Sequence, residues 1–347
     1  MYPLREITAT TARERGVEYG SKAKKWIDMA VAHYYARFQN EGYTVADLET
    51  YAMEFANYLR VETPTQMEEV EGIAAGSGHT LAEMMVVNCR YEISKFPKTP
   101  ECTTAAVLPG ATKNGSTYLL KNWDYTTHIL PHIVILHFNS PDFRAYGITE
   151  AGQLVREGFN CHKVGFVNNN LQSVRDMPGI GIPVTFLRRR ILEAKTFEEA
   201  CELIETSKRS VSCNMLVADG YGHARNYETW PGGEDILEIE DNLIVHANHF
   251  VKSPELDALI SRPKNRDARL REILSAKMGA ITPEYIMICL RDHKYHPLSI
   301  CGHPEAGGSP YTRDRITVSS AIYNLTDDEM WFCAGPPCQG EYRRYML

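Results

Sequence analysis

The chain has 347 residues, of which 44% are hydrophobic and 23% are charged, a balance typical of a folded globular enzyme. Its formal net charge of −7 argues against a nucleic-acid partner, because such partners bind basic surfaces. We find no long apolar run and no signal-peptide core in residues 1–16, so we expect no membrane partner. Nine scattered cysteines, an odd number, favour free thiols and a cytoplasmic location over a disulfide framework.

The first hundred residues predict helices almost throughout. Apolar side chains recur at helical spacing over residues 26–34 and again over 48–59. Thr63–Pro64 has the residue types of a helix start, and Thr80–Glu83 is a capping-box pattern. The prolines within residues 96–100 end the last of these helices, because proline cannot donate the backbone hydrogen bond.

After Pro100 the pattern changes to short β-type runs with a few helices between them. The predicted strands are residues 117–120, 132–138, 164–167, 213–217, 243–246 and 316–323. Helices are predicted over 182–194 and from Thr196 and Thr282 onward. With no repeat and no low-complexity linker, we predict one compact α+β unit with a helical leader, 1–101, and a strand-rich body, 102–347.

Common site signatures are missing from this sequence. It contains no phosphate-binding loop, no complete dinucleotide fingerprint and no serine-hydrolase elbow. The histidines at 128 and 132 are separated by a proline, and Cys333 and Cys338 are separated by turn residues rather than arranged as a close pair. We therefore predict neither a metal ion nor a cofactor.

Cys102 stands where the helical leader ends and the strand-rich body begins. A thiol in such a loop can attack the carbonyl of the preceding residue, here Glu101, and hydrolysis of the ester frees an α-amine on the cysteine. Because that amine has a reference pKa of about 7.7–8.0, it is well matched to take the thiol proton. The position therefore indicates a nucleophile that carries its own base.

Several short sequence motifs around Cys102 together resemble the acyl-coenzyme A:isopenicillin N acyltransferase family. This family is a branch of the N-terminal-nucleophile hydrolases, related to penicillin V acylase and bile salt hydrolase. The motifs occur in the family's order and are Gly16–Ser21, Glu71–Gly76, Cys102-Thr-Thr, Asn122-Trp-Asp, Ile148–Gly152, Gly165–Asn170, His246-Ala-Asn-His and Pro297–Cys301. Each motif is weak evidence alone, whereas the ordered set is specific.

The resemblance implies a four-layer αββα sandwich and autocatalytic cleavage of a zymogen between Glu101 and Cys102. It also implies cleavage or transfer of a small N-acyl group through a thioester on Cys102. Acyl-coenzyme A is a possible acyl donor if the chain is a transferase. The leader, 1–101, is expected to stay associated with the catalytic segment after cleavage.

The resemblance also implies roles for individual residues. Asp124 would orient the freed amine, Asn248 would offer its side-chain amide to the oxyanion, and Asn169 would supply a backbone donor. An arginine partner for Asp124 maps to the segment before residue 316, where Arg315 is preferred and Arg313 remains open. The residues expected to support the site are Thr103, Thr104, Asn122 and Trp123.

Two other hypotheses remain open. The family usually has glycine immediately before the nucleophile, whereas Glu101 stands there in this chain. An uncleaved chain would be a non-catalytic binding or scaffold protein of the same fold, because its Cys102 nitrogen would stay acylated and non-basic. The third hypothesis is a conventional cysteine hydrolase in which one of the twelve histidines is the base.

Overall fold

The computed structural model describes residues 1–94, 102–177, 179–258 and 264–347. Glu101, on the leader side of the predicted cleavage site, lies outside the described residues, whereas Cys102 lies within them. None of the helices in these ranges has both the length and the apolar character that a membrane span requires.

The helices and strands are numbered in chain order. The helices are α1 (Ala12–Asn40), α2 (Val45–Glu62), α3 (Pro64–Ser77), α4 (Leu81–Asn88), α5 (Arg90–Ile93), α6 (Val184–Glu193), α7 (Phe197–Glu205), α8 (Arg266–Ser275), α9 (Pro283–Cys289) and α10 (Pro310–Arg313). The strands are β1 (Leu4–Ile7), β2 (Cys102–Val107), β3 (Tyr118–Thr126), β4 (Ile133–Ser140), β5 (Phe143–Glu150), β6 (Glu157–Asn160), β7 (Val164–Asn170), β8 (Cys213–Asp219), β9 (Ala224–Trp230), β10 (Gly233–Leu237), β11 (Leu243–His246), β12 (Arg315–Asn324), β13 (Glu329–Ala334) and β14 (Arg343–Met346).

The strands form two sheets. The first sheet has eight strands in the order β1-β4-β5-β6-β7-β8-β9-β10, and the second has six in the order β11-β2-β3-β12-β13-β14. Neighbouring strands are antiparallel except that β1 runs parallel to β4. Because β2 and β3 are central in the second sheet, the residues on them are fixed by ladders on both sides.

Three apolar clusters stack the elements into four layers. The first joins α1–α4, α6 and α7 to one face of the first sheet, the second lies between the two sheets, and the third joins the second sheet to α8 and α9. Representative buried members are Ile27 and Val134 in the first cluster, Ile148 and Trp123 in the second, and Leu120 and Leu274 in the third. The expected α+β, four-layer αββα sandwich is confirmed.

The six strands predicted from β-type runs are all present, and the structure adds strands that the sequence did not indicate. The most consequential addition is β1, because it places the first residues of the chain in the first sheet rather than in a helix. Most strands of the sandwich, β2 among them, are buried on both faces. Such strands lack the polar–apolar alternation that reveals a half-exposed strand.

The predicted helix starts differ in whether a side chain caps the helix. Thr80 and Glu83 form a reciprocal capping box, and the side chains of Thr196 and Thr282 each accept a bond from the third residue after them. The third helix begins at Pro64 with Thr63 in the N-cap position, as predicted, but the Thr63 side chain makes no capping hydrogen bond. Its hydroxyl donates instead to the Leu59 carbonyl of the preceding helix, at 3.3 Å.

Candidate active site

Cys102 is the first residue of β2 and is fully buried, with its side chain in the cluster between the two sheets. Cys102 is paired with Trp123 on β3. Thr104, two residues further along β2, is paired with His246 on β11. The thiol is therefore held at the end of a central strand, next to a bond that leads out of the described residues. This placement suits a nucleophile that acts at the start of the strand.

Two asparagines hold the backbone of Cys102 from different sheets. The Cys102 N–H donates to Asn248 Oδ1 at 2.5 Å, and Asn169 Nδ2 donates to the Cys102 carbonyl at 3.1 Å. Asn248 follows β11 of the second sheet, whereas Asn169 lies on β7 of the first. Two of the residues predicted from the sequence thus meet at the predicted nucleophile.

The orientation of the Asn248 amide follows from its neighbours. Its Oδ1 accepts from the Cys102 N–H and from Arg266 Nη2, the latter at 3.0 Å, while its Nδ2 donates to the Asn170 carbonyl at 2.8 Å. Turning the amide over would set donor against donor at two of these contacts, so the assignment is firm. One N–H of the Asn248 amide therefore donates to the Asn170 carbonyl, and the amide carries a second N–H.

Asn169 is fixed just as firmly. Its Oδ1 accepts from the Thr104 hydroxyl at 2.6 Å and from Asn214 Nδ2 at 2.9 Å. Thr104 is one of the residues predicted to support the site, and through this bond it links β2 to β7 across the sandwich. The contact of Asn169 with the Cys102 carbonyl comes from its side-chain amide, and the backbone N–H of Asn169 remains the donor predicted for the oxyanion.

Asp124 lies on β3 and is fully buried in an ion pair with Arg315, the first residue of β12. The Thr317 hydroxyl donates to the other carboxylate oxygen at 2.5 Å. A register shift between Thr317 and Ser319 sets Thr317 opposite Asp124 and Ser319 opposite Trp123. Of the two arginines left open, Arg315 contacts Asp124, and Arg313 is exposed to solvent.

Arg315 is itself held by the segment that follows α9. Its Nη1 donates to the Pro297 carbonyl at 2.7 Å, and its Nη2 donates to the Ser299 carbonyl at 3.0 Å. A Cβ on Gly302 would lie only 2.7 Å from the same guanidinium, so a glycine is required at this close approach. Residues 297–302 therefore set the position of Arg315 over Asp124.

Burial and nearby charges decide the ionisation of the site. Burial raises the pKa of Asp124 to about 6, although Arg315 and Thr317 act in the opposite direction. Burial also raises the pKa of the Cys102 thiol, and the cations of Lys121 and Arg156 offset part of that rise. In the unbroken chain the thiol is thus the protonated, weakly reactive form.

Two predicted supporting residues anchor β3. Asn122 Nδ2 donates to the carbonyls of Leu290 and Ile300, both at 2.9 Å, which joins β3 to the segment after α9. Trp123 packs in the cluster between the sheets, with the Arg156 guanidinium 4.0 Å from its ring centroid. The remaining one, Thr103, is buried on β2 opposite Asn122.

Sequence reasoning missed several polar residues of this site. Arg266 holds Asn248, Thr317 holds Asp124, and Lys121 forms a fully buried ion pair with Glu157 and donates to Asn168 Oδ1 at 3.1 Å. Thr317 lies in the predicted strand 316–323, and Lys121 directly precedes Asn122-Trp-Asp. Both strands are buried along most of their length and lack the alternation that would have revealed these two residues. Arg266 starts α8 and has no local signal.

A cavity of about 410 Å³ is lined by residues of the leader and of the loop that follows β7. Its wall includes Gln172 and Ser173, which closely follow Asn170, the acceptor of the Asn248 amide. The other lining residues come from the leader helices and from nearby loops, and they are Tyr43, Tyr51, Glu54, Phe55, Tyr91, Glu92, Ile93, Ser94, Asp176, Met177, Gly179, Ile180 and Val211. Aromatic and aliphatic side chains dominate this wall, as in sites for small organic ligands.

The sequence model of the acyl-coenzyme A:6-aminopenicillanic acid acyl-transferase family matches residues 111–339, about two thirds of the chain. The chain belongs to this family. The matched region includes Asp124, Asn169, Asn248 and Arg315, and it begins shortly after Cys102. The resemblance noted in the sequence is thereby confirmed, and the chain is an enzyme of the acyltransferase and amidohydrolase class.

A curated relative agrees over nearly the full length. The chain is 29% identical over 334 residues to the 40 kDa form of an acyl-coenzyme A:6-aminopenicillanic-acid-acyltransferase from Emericella nidulans, covering 92% of this chain and 88% of the relative. Among solved structures, it is similar to a Caenorhabditis elegans N-acylethanolamine-hydrolyzing acid amidase orthologue, at 14% identity and a TM-score of 0.48, over 65% of this chain and 93% of that one. Penicillin V acylase from Agrobacterium tumefaciens gives 12% identity and a TM-score of 0.49, over 67% and 83%.

Proposed function

We propose that this chain is an autoprocessed cysteine amidohydrolase or N-acyltransferase that cleaves the amide of a small N-acylated substrate through a thioester on Cys102. The observation that carries the proposal is the pair of hydrogen bonds that two asparagines make with the Cys102 backbone. Its nitrogen lies 2.5 Å from Asn248 Oδ1 and its carbonyl 3.1 Å from Asn169 Nδ2. Hydrogen bonds that fix the backbone of one residue on both sides are expected where its nitrogen takes part in the chemistry.

In the first step the Cys102 sulfur attacks the carbonyl carbon of Glu101. The C–N bond breaks as the C–S bond forms, and the nitrogen gains a proton. Water then hydrolyses this thioester, leaving a carboxylate on Glu101 and a free thiol and α-amine on Cys102. The amine is formed where Asn248 Oδ1 already accepts from the nitrogen, so it is oriented from the moment of its release.

In turnover the amine accepts the thiol proton, and the sulfur attacks the amide carbonyl carbon of the substrate. The leaving amine takes a proton and departs, which leaves an acyl thioester on Cys102. Water completes a hydrolysis, whereas an amine completes a transfer; an acyl-coenzyme A would form the same thioester by exchange with its own thiol. The proposed small and large segments are 1–101 and 102–347.

The other residues follow from their contacts. We assign Asp124 to orient the amine, with Arg315 and Thr317 as positioning residues that hold the carboxylate. We assign the oxyanion donors to Asn169 and Asn248. The latter acts through the second N–H of its amide, since the first donates to the Asn170 carbonyl at 2.8 Å.

The cavity of about 410 Å³ is proposed to take the acyl group. Its wall includes Gln172 and Ser173, which lie two and three residues after Asn170, the residue whose carbonyl accepts from Asn248. Eight of its fifteen lining residues are aromatic or aliphatic, which suits an acyl chain. Its polar lining residues suit an acyl group that carries polar substituents, and they are Glu54, Glu92, Ser94, Gln172, Ser173 and Asp176.

The histidine-based hypothesis finds no support in the geometry. No histidine within the described ranges contacts the Cys102 sulfur, and His246, the nearest along the sheet, uses both ring nitrogens elsewhere. Its Nε2 lies 2.8 Å from Glu228 Oε1 and its Nδ1 lies 2.7 Å from the Ala247 carbonyl. A base engaged in this way is not available to a thiol.

The test is intact-mass analysis of the purified wild type beside the Cys102→Ala variant. Of the chain's 347 residues, 101 should appear in one wild-type fragment and 246 in the other, and Cys102→Ala should remain one chain. A Cys161→Ala variant is the matched control and should cleave as the wild type does, because that thiol lies elsewhere, on the turn after β6. A folded wild type that stays whole would favour the non-catalytic binding or scaffold protein.

A further inference from the structure

Four side chains with metal-binding atoms converge on the segment after α9. They are His293, Cys301, His303 and Cys338, and their nitrogen and sulfur atoms all lie within 4.8 Å of one another. The first three belong to this segment, whereas Cys338 comes from the turn that follows β13. Both cysteines are free thiols. No metal was predicted from the sequence, because these four residues match none of the paired Cys-Cys or His-His ligand spacings.

The distances fit the edges of a coordination tetrahedron. Bonds of about 2.3 Å to sulfur and 2.05 Å to nitrogen give edges of about 3.8 Å between two sulfurs, 3.6 Å between sulfur and nitrogen, and 3.3 Å between two nitrogens. The two sulfurs lie 3.6 Å apart, and His303 Nε2 lies 3.5 Å from Cys301 Sγ and 3.2 Å from Cys338 Sγ. His293 Nε2 and His303 Nε2 are separated by 3.0 Å.

Hydrogen bonding alone does not account for this arrangement. His303 Nε2 faces three polar atoms at hydrogen-bond distance, yet an imidazole nitrogen carries either one proton or one lone pair. His303 Nε2 can therefore make only one of these three hydrogen bonds, and the other two close contacts would not be hydrogen bonds. A cation bound between them would accept a lone pair from all four groups at once.

We propose that His293, Cys301, His303 and Cys338 bind one zinc ion. Two thiolates and two neutral imidazoles in tetrahedral array are the donor set of structural zinc sites, and the two thiolate charges balance the charge of the ion. All four positions are taken by protein ligands, so the site leaves no place for a substrate and its role is structural. Cys301 is buried, while His293 and Cys338 are exposed, so zinc can enter from solvent.

The zinc site would fix the segment that positions Arg315. The carbonyls of Pro297 and Ser299, which accept from Arg315, lie between the ligands His293 and Cys301. Gly302, between the ligands Cys301 and His303, donates its N–H to the Thr317 hydroxyl at 2.7 Å. The turn that carries Cys338 is also held by a hydrogen bond, because Arg291 Nε donates to the carbonyl of its Pro337 at 2.8 Å. Zinc would thus tie the C-terminal turn to the support of Asp124.

The test measures metal in the full chain, whether cleaved or not, after equilibration with zinc chloride and gel filtration. We expect about one zinc per wild-type chain by mass spectrometry of the metal, and a loss of about tenfold in His293→Ala/Cys338→Ser. The matched control is Cys161→Ser/His162→Ala, which removes one thiol and one imidazole from another surface turn and should keep its zinc. Cys102→Ala should also keep it, which separates this proposal from the function proposed for Cys102.

Cobalt(II) supplies a readout that does not depend on variants. The wild type with cobalt should show the intense visible bands of a tetrahedral ion and the thiolate-to-metal absorption, and the His293→Ala/Cys338→Ser protein should show neither. A wild type with no more zinc than this double variant would overturn the proposal. So would an octahedral cobalt spectrum, or a disulfide between Cys301 and Cys338 found in protein that was purified with zinc present.

Discussion

At the scale of single residues, the site depends on a buried charge. Asp124 is fully buried, and a carboxylate in such a place is tolerated only when its oxygens have strong partners. Arg315 supplies one and Thr317 the other, and Arg315 is in turn held by two backbone carbonyls. Removing one partner leaves an uncompensated charge, which is why these residues are expected to matter for both activity and folding.

Activity should fall on the acid side as Asp124 takes up a proton. Because the folded-state pKa of Asp124 is about 6, kcat/KM should decline by about tenfold per pH unit below that value. A carboxyl whose pKa is higher in the folded than in the unfolded chain stabilises the fold at low pH and loses this contribution as the pH rises through about 6. The acid loss of activity should therefore precede any unfolding that circular dichroism detects.

The Asp124→Asn variant is the companion measurement. It should lose about a hundredfold or more of the activity at neutral pH, and the acid limb near pH 6 should disappear with it. An Asp124→Asn protein that keeps the same acid limb would assign that limb to another group and contradict the role given to Asp124.

Arg315 and Arg313 can be separated by matched substitutions to lysine. Arg315 makes three contacts with one planar group, and lysine cannot reproduce them, so Arg315→Lys should lower kcat/KM by about tenfold or more. Arg313→Lys should leave it within about twofold, because Arg313 is exposed and its charge is kept. Steady-state kinetics on a small N-acyl amide decide the matter; equal effects of the two substitutions would count against the ion pair as the functional contact.

At this scale the sequence predicted the residues whose chemistry is tied to a motif. Cys102, Asp124, Asn169 and Asn248 lie together as the ordered motifs implied. Arg266 was missed, because it reaches Asn248 from the start of α8 and its contact depends on how that helix packs. The four residues proposed to bind zinc are likewise distant in sequence, since Cys338 follows β13 whereas the other three follow α9.

At the scale of elements, α1 and α3 pack unusually closely through glycines. A Cβ on Gly16, Gly20, Gly72 or Gly76 would lie 2.1–2.4 Å from backbone oxygen of the opposite helix. The spacing of four residues places each pair on one helix face, so the two faces meet without side chains between them. Both glycine-containing motifs, Gly16–Ser21 and Glu71–Gly76, belong to the family resemblance. The close approach of the two helices is the physical reason why glycine stands at these positions.

Gly72→Ala should therefore destabilise the protein. The added methyl would lie 2.2 Å from the Arg13 carbonyl, so α1 and α3 must separate, at a cost of about 1–3 kcal/mol or more. Thermal unfolding monitored by circular dichroism checks this, with Gly179→Ala as the control, because a Cβ there meets nothing within 4 Å. Equal melting temperatures for the two variants would show that the helices adjust freely.

The loop after β7 offers a test of the proposed acyl site. Ile180 lines the cavity and is partly exposed to it, so Ile180→Trp should fill part of the space and raise KM for a long acyl chain by about tenfold. A short acyl chain should be affected less. Val174→Trp is the control, since Val174 is exposed on the same loop and outside the cavity wall. A uniform loss of kcat with every substrate would instead indicate damage to Asn169.

At the scale of the whole molecule, the proposed leader is part of the sandwich rather than a cover over it. It supplies β1 to the edge of the first sheet and helices α1–α4 to one outer layer. Composition and periodicity predicted the helices, and the resemblance predicted the four layers. The strand β1 was not predicted, because four residues near the terminus carry too little pattern and owe their conformation to pairing with β4.

Buried ion pairs also join the leader to the body. Glu69 on α3 receives two hydrogen bonds from Arg189 on α6, at 3.2 and 3.0 Å, and Arg90 on α5 lies 2.9 Å from Glu150 on β5. All four side chains are buried. Separating the segments would expose the apolar faces of the leader helices to water, and this loss would not be offset, although the separated charges would be hydrated.

We therefore predict that the segments 1–101 and 102–347 remain one particle after cleavage. The cleaved protein should elute from gel filtration at the volume of the unbroken Cys102→Ala chain, and native mass spectrometry should give the mass of both segments together. High salt should not separate them, because buried pairs are screened little. Glu69→Gln should weaken the complex, since it leaves Arg189 with a neutral partner in a dry site, whereas Glu68→Gln, one residue away and exposed, should not. Free leader released under native conditions would mean that β1 and the ion pairs form only while the chain is whole.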